Sequence, residues 1–280
     1  MMFLPGSYAR SCRKALFATG ILLLTGLAGS ASNAQEVASP DTLRVCSDPN
    51  NLPFSNSRGE GFENKLAELL AEKLGRELSY FWWAQRRGFI RNSLNAGKCD
   101  VIMGVPDLDM IATTKPYYRS TYVLISRADR SLTFDSMAAP ELKHLKVGVQ
   151  LVGDDGANTP PAHALAAQHI TDNVIGFSLY GDYREDSPPR RIIDAVARGD
   201  IDIAAAWGPM AGYFAKLSPV PLRVVPIEDT ARFTPQVFTF SISMGVRKDD
   251  NELKAELDRF IAENGAQITE LLSSYGVPLQ

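Results

Sequence analysis

Apolar and polar positions follow two different periods along this chain, and the switches between them lay out its elements. "LRVCS" (Leu43 to Ser47) is an apolar run of strand length, closed by the turn cluster Asp48-Pro49-Asn50-Asn51. In "FENKLAELLAEKLG" the spacing of Phe62, Leu66, Leu69, Leu70 and Leu74 predicts a helix that Gly75 ends. "LSYFWW" reads as a second strand, "GFIRNSLNAG" as a short helix, and "CDVIMG" as a third strand with a turn at Pro106. A strand, helix, strand, helix, strand order means a parallel sheet with crossover helices.

The same order is written a second time from Lys146. "KVGVQ", "VIGFSLY" and "DIAAAW" read as strands, and "PAHALAAQHI" and "PPRRIIDAVARG" as helices opened by prolines. One pair of segments repeats closely: Gly97 and Asp100 in "LNAGKCDVIMGVP" are answered by Gly199 and Asp202 in "VARGDIDIAAAWGP". Each predicts a helix stopped by glycine and handed directly to a strand.

Two long β-rich runs, "PYYRSTYVLISRADR" and "VFTFSISMGVRKDD", are placed to cross between these units and back. "NELKAELDRFIAEN" then predicts a helix with a capping-box spacing from Asp249 to Glu252 and an apolar face of Leu253, Leu257, Phe260 and Ile261. The expected architecture is α/β, with lobe 1 over 42–127 plus 241–280, lobe 2 over 128–240, a central cleft and two crossover hinges.

The N-terminus changes the setting. A basic run (Arg10, Arg13, Lys14), an apolar stretch from Ala15 to Ala28 and small residues up to Ala34 read as a signal peptide over 1–34, with a disordered lead over 35–41. The chain is therefore expected in the periplasm, as a monomer without a membrane span. A net charge of −3 without blocks of like charge gives no footing for nucleic acid.

Cys46 and Cys99 remain after cleavage, in a compartment that favours disulfides. Against a bridge, an offset of four residues between parallel neighbouring strands would separate them by about 12 Å, beyond the ~7 Å that a disulfide spans. Both alternatives stay open at this point.

The order of elements resembles the type II periplasmic solute-binding proteins of the amino-acid-binding family, carried by "LRVCSDPNNLPFSN", "NAGKCDVIMG", "KPYYRSTYVLI" and "LKVGVQ". "QRRGFIRNSLNAGKCDV", "GVQLVGDDGANTPPAHAL" and "WGPMAGYFA" look like motifs of its MxaJ/XoxJ branch, found with PQQ-dependent methanol dehydrogenases and their cytochrome c. The resemblance implies a non-catalytic accessory protein that assists or activates a calcium- or lanthanide-dependent methanol dehydrogenase, without a cofactor of its own, and the expected route of binding is the cleft between the lobes. The alternative is an importer's receptor for an apolar or aromatic solute.

An amino-acid receptor of this family is expected to clamp its ligand's carboxylate with an arginine after the third strand. Here "GVPDLDMIATTKPYY" offers Asp107 and Asp109 instead. Ligands of open parallel sheets bind beyond the carboxyl ends of the strands. That rule places Asp48, Asn51, Phe54, Trp82, Trp83, Arg86 and Arg87 at the cleft from the first unit, and Asp154, Tyr180, Tyr183, Trp207, Met210 and Tyr213 from the second. Trp, Tyr, Met and Arg are the types that anchor protein interfaces. The plainer reading makes Phe81 and part of that aromatic run strand core.

"GDDGANTPP" follows a strand and precedes a helix, as anion-binding loops do, but its own acids oppose an anion; Asn158 or Thr159 capping the helix is the better reading. His144, His163 and His169 lack metal-ligand spacing, and no EF-hand loop is present, so no metal site is expected. A dehydratase would need a positioned acid such as Asp48, Asp155 or Asp182, and no nucleophile or nucleotide motif accompanies them.

Overall fold

A computed structural model describes residues 41–152, 158–179 and 183–280. The expected signal peptide and lead, apart from Asp41, and the acidic loop with Asp154 and Asp155, lie outside these residues, as do Tyr180 and Asp182.

The first half is built on β1 (Thr42–Ser47), which turns through the short β2 (Asn50–Asn51) and β3 (Ser55–Asn56) into α1 (Phe62–Leu74). Gly75, at φ 63°, ends that helix as the sequence predicts: its N–H and that of Arg76 return to the carbonyls of Glu72 and Ala71. β4 (Glu77–Trp82), α2 (Phe89–Asn92), β5 (Val101–Val105) and β6 (Ala112–Thr113) follow, and β7 (Tyr118–Arg127) leaves for the second half.

There β8 (Val147–Leu151), α3 (Pro160–Ala167), β9 (Val174–Ser178), α4 (Arg191–Arg198), β10 (Ile203–Trp207), α5 (Gly208–Lys216) and β11 (Leu222–Pro226) follow in order. β12 (Thr239–Val246) returns, and α6 (Asn251–Ser274), interrupted at Asn264, closes the chain.

The strand order is β4-β1-β5-β12-β7-β10-β8-β9, with β11 on β7 and β6 on β12. β1 runs parallel to β4 and β5, and β8 parallel to β9 and β10, while β7 and β12 join the two parts antiparallel. Helices cover both faces. α1 and α6 pack Phe62, Leu66, Leu257 and Phe260 on one face of the first half. α2 packs Phe89 on the other. α3 covers one face of the second half, and α4 and α5 the other.

The repeated Gly-to-Asp segments have the same geometry. Gly97 and Gly199 are left-handed (φ 69° and 80°). The N–H groups of Asp100 and Asp202 bond the carbonyls of Arg44 and Lys146 at 2.8 and 3.0 Å. Each aspartate pins a strand start: Asp100 pairs with Arg44 at 2.7 Å, and Asp202 pairs with Arg130 and accepts from the Lys146 N–H at 2.8 Å.

One open alternative closes and two local expectations change. Cys46 and Cys99 form a disulfide with Cα atoms 5.5 Å apart. The third strand begins only at Val101, and Cys99 lies in the bend before it, so an extended rise of about 3.3 Å per residue does not apply there. α6 is capped by Asp250, whose side chain accepts from the Leu253 N–H, and not by a box from Asp249. Thr159 sits at the N-cap of α3, but its hydroxyl donates to the Gln150 carbonyl at 2.6 Å, and the Asn158 side chain accepts from the Val152 N–H.

Candidate functional site

The carboxyl ends of β1 and β4 put Asp48 and Gln85 side by side. Asp48 is buried, and its carboxylate takes the Asn50 N–H at 2.8 Å and the Gln85 N–H at 2.7 Å. Tyr183, from the second half, donates its hydroxyl to the same oxygen that takes Gln85. The Arg86 guanidinium lies over the Tyr183 ring, 5.0 Å from its centre. Burial and then the Asp48 hydrogen bond push the Tyr183 hydroxyl well above its usual range, so it stays a donor.

This contact continues along one rim. Asn51 donates to the Gln85 side chain at 3.1 Å. Asn50 holds the Glu185 carbonyl at 2.7 Å and the Ser187 N–H at 3.0 Å, and Arg58 meets Asp186 at 3.3 Å. Leu52 goes further and is buried in the second half's core beside α4 and α5. Phe54 packs against both cores, 5.4 Å from the Phe62 ring. At this rim the two halves are joined by the chain's own side chains.

Beneath the rim lies Glu63, which no sequence pattern marks as a site residue. It is the second residue of α1 and 9% exposed, and its carboxyl packs on Gly104 of β5, where an added Cβ would fall 2.1 Å from Oε1. Only a glycine leaves that room. The nearby Tyr117 hydroxyl does not serve this carboxyl, since it donates to the Met103 carbonyl at 2.8 Å. Burial, and then the charge of Asp48, push Glu63 up to about 8. The first N–H groups of α1 are taken by the Pro53 and Phe54 carbonyls at 2.8 and 2.9 Å, so the helix start offers them to no ligand. An acid at a helix N-terminus ordinarily reads as a solvated partner of the helix dipole, which hid this one.

The named aromatics divide between three places. Trp207 is half-buried where β7, β10 and β12 meet, with Tyr122 at 5.3 Å and Phe240 at 5.8 Å. Tyr213 stacks on Tyr275 at 5.6 Å. Trp82 stacks on Tyr80 at 4.5 Å along β4, and Trp83 on Phe81 at 6.0 Å on the opposite face, where Phe81 packs beside the disulfide. Trp83 is 44% exposed, and Arg86 and Arg87 beside it are exposed as well. Met210 is corrected outright: it is 2% exposed and belongs to the core under α5. Position after a strand placed it at the cleft, but α5 starts at once at Gly208 and turns it inward.

After β5 the loop carries Asp107 and Asp109, both exposed, with Met110 48% exposed. A separate groove of about 390 Å³ lies on the second half between α3 and Phe233–Gln236, away from all of these residues. Among the described residues no group of three or more His, Cys, Asp or Glu side chains is placed to hold a metal, and no helix is long and apolar enough to cross a membrane.

Comparison with known proteins bears on this arrangement. The model of the bacterial extracellular solute-binding proteins, family 3, matches residues 43–276. Protein MoxJ of Methylorubrum extorquens is 33% identical over 262 residues, 89% of this chain and 86% of that protein. The crystal structure of periplasmic binding protein XoxJ from Methylobacterium extorquens AM1 is 36% identical with a TM-score of 0.70, covering 85% of this chain and 99% of that one. MxaJ from Methlophaga aminisulfidivorans MPT is 30% identical with a TM-score of 0.75, covering 85% and 100%. The fold is that of the type II periplasmic binding proteins.

Proposed function

The chain belongs to the bacterial extracellular solute-binding proteins of family 3, and on that premise we propose that it is a non-catalytic periplasmic accessory protein that docks on a PQQ-dependent methanol dehydrogenase. The two lobes, 42–127 with 241–280 and 128–240, act as one platform. Docking uses the corner beside the cleft, with Trp83, Arg86 and Arg87 as contacts. Exposed tryptophan beside arginine is the composition of interface anchors. The likeness to MoxJ, XoxJ and MxaJ supports the association with methanol oxidation.

The observation that carries this reading is the occupation of the cleft rim by the chain itself. Asp48 is satisfied by Asn50, Gln85 and Tyr183. The loop after β5, where an arginine would be expected to take a solute's carboxylate, presents Asp107 and Asp109. A solute receptor must open and close this rim around its ligand. The aromatic group of Tyr122, Trp207 and Phe240 is the feature that would favour an apolar or aromatic solute.

The two readings separate in one pair of assays. Titrating the dehydrogenase with wild-type protein and with Trp83→Ala should show association weakened by about 2 kcal/mol, roughly thirtyfold, in the variant. A thermal-shift screen of amino acids and aromatic solutes should be flat. A solute that raises Tm in proportion to the logarithm of its concentration would instead establish the receptor.

A further inference from the structure

β4 is an outermost strand of the sheet and pairs only with β1 among the described residues. In this parallel ladder the N–H groups of Glu77 and Trp83 bond the carbonyls of Asp41 and Ser47. Alternation therefore directs residues 77, 79, 81 and 83 toward β1, and turns the N–H and C=O groups of Leu78, Tyr80 and Trp82 to the outer edge.

Such edges are ordinarily blunted by lysine, proline or a bulge. β4 carries none of these. Its one charge is Glu77 at the start, and it pairs with β1 in unbroken register. Both of its faces are stiffened by stacked rings, Tyr80 on Trp82 and Phe81 on Trp83. An extended segment added here would gain main-chain hydrogen bonds and flank an aromatic ladder on either side.

The charge around this edge selects the occupant. From Ser79 to Cys99 the chain contains Arg86, Arg87, Arg91 and Lys98 and no acid, in a protein whose net charge is −3. All four cations are exposed; Arg86 and Arg87 follow β4 at the end toward which it runs, whereas Lys98 precedes β5 beside the start of these parallel strands.

We infer that the outer edge of β4 is a docking site for an extended, acid-bearing segment of a partner protein, which adds to the sheet as a strand with its acids beside Arg86, Arg87 and Arg91. This rests on the accessory-protein reading and says how the corner at Trp83 is used. Continuity supports it, since the edge ends at the exposed Trp83.

The test is residue-resolved hydrogen exchange on the mature protein, alone and with the methanol dehydrogenase, together with the charge reversals Arg87→Glu and Arg91→Glu. In the free protein the amides of Leu78, Tyr80 and Trp82 should exchange freely while those of Ser79 and Phe81 are protected. In the complex the first three should slow by about tenfold or more. The double reversal, with Tm unchanged, should weaken binding by about tenfold and flatten its salt dependence. A complex that leaves the three amides unprotected overturns the edge assignment but keeps the accessory role. An unchanged dissociation constant for the double reversal overturns the acidic segment. Failure to form a complex removes both readings. Protection of the three amides in the concentrated free protein would identify a second copy as the occupant and overturn the proposal.

Discussion

Replacing Glu63 with Gln should change how stability depends on pH. The carboxyl is raised from 4.5 to about 8 by burial and by the neighbouring Asp48. Between those values the unfolded chain has released this proton while the folded chain holds it. Stability contributed by the neutral carboxyl is therefore complete below about 4.5 and is lost as pH rises toward 8, at about 1.4 kcal/mol per pH unit. At pH 7 the loss amounts to about 3 kcal/mol, which for a domain of this size is roughly 6–12 °C in Tm. Glu63→Gln cannot ionise, so this slope should vanish, while the packing of the amide adds an offset that does not depend on pH. Denaturant melts of both proteins from pH 5 to 8 give the comparison, because titrating groups not coupled to Glu63 cancel in their difference. Parallel curves would refute the reasoning and mean that the carboxyl is charged and compensated in the folded protein.

Four further perturbations test other contacts. Gly104→Ala places a Cβ 2.1 Å from Glu63 Oε1 and should cost about 1–3 kcal/mol in a denaturant melt; the loss should shrink when Glu63→Ala is added. Removing the disulfide with Cys46→Ser and Cys99→Ser frees a loop with a sequence separation of 53 and should cost about 4 kcal/mol, with the same drop in wild type on reduction. Tyr183→Phe deletes the hydroxyl that reaches Asp48 from the second half and should cost about 1–2 kcal/mol, read as faster exchange of the Gln85 amide. Replacing Asp100 with Asn should remove stability at neutral pH, and denaturant melts of the two proteins should converge in strong acid. Although its burial raises it, the hydrogen bonds and charges of Arg44 and then Arg247 hold Asp100 below the usual carboxylate range, and the stability they lend is lost as pH falls through that lowered value.

Much of the fold was legible because its signals are local. The glycine stops at Gly75, Gly97 and Gly199, the apolar stripe of α1 and the Gly-to-Asp repeat each depend on a few neighbouring residues. What the sequence hid depends on tertiary placement. The bend before β5 brings Cys99 to Cys46, and no propensity marks it. Position after a strand suggests cleft exposure for Met210 and Trp207 alike, yet the immediate start of α5 buries the first and leaves the second half-buried among rings. Glu63 is invisible for the opposite reason: its residue type is common at a helix start, and only the missing side chain of Gly104 makes its burial feasible. The aromatic run in β4 gave both of its readings at once, with Phe81 against the disulfide and Trp83 at the surface.

The occupied rim also bears on mechanism. Leu52 buried in the second half's core, Asn50 on residues 185 and 187, and Tyr183 on Asp48 act together, so opening the cleft breaks several contacts at once.

Docking on a dehydrogenase is tested by isothermal titration of the purified mature protein into the PQQ-dependent methanol dehydrogenase of the same cells. The account predicts saturable binding with a dissociation constant of about 1 μM or below, weakening as salt rises. Absence of heat and of complex at concentrations of about 100 μM, with Tm rising on addition of a small solute, would contradict it and return the protein to the receptors.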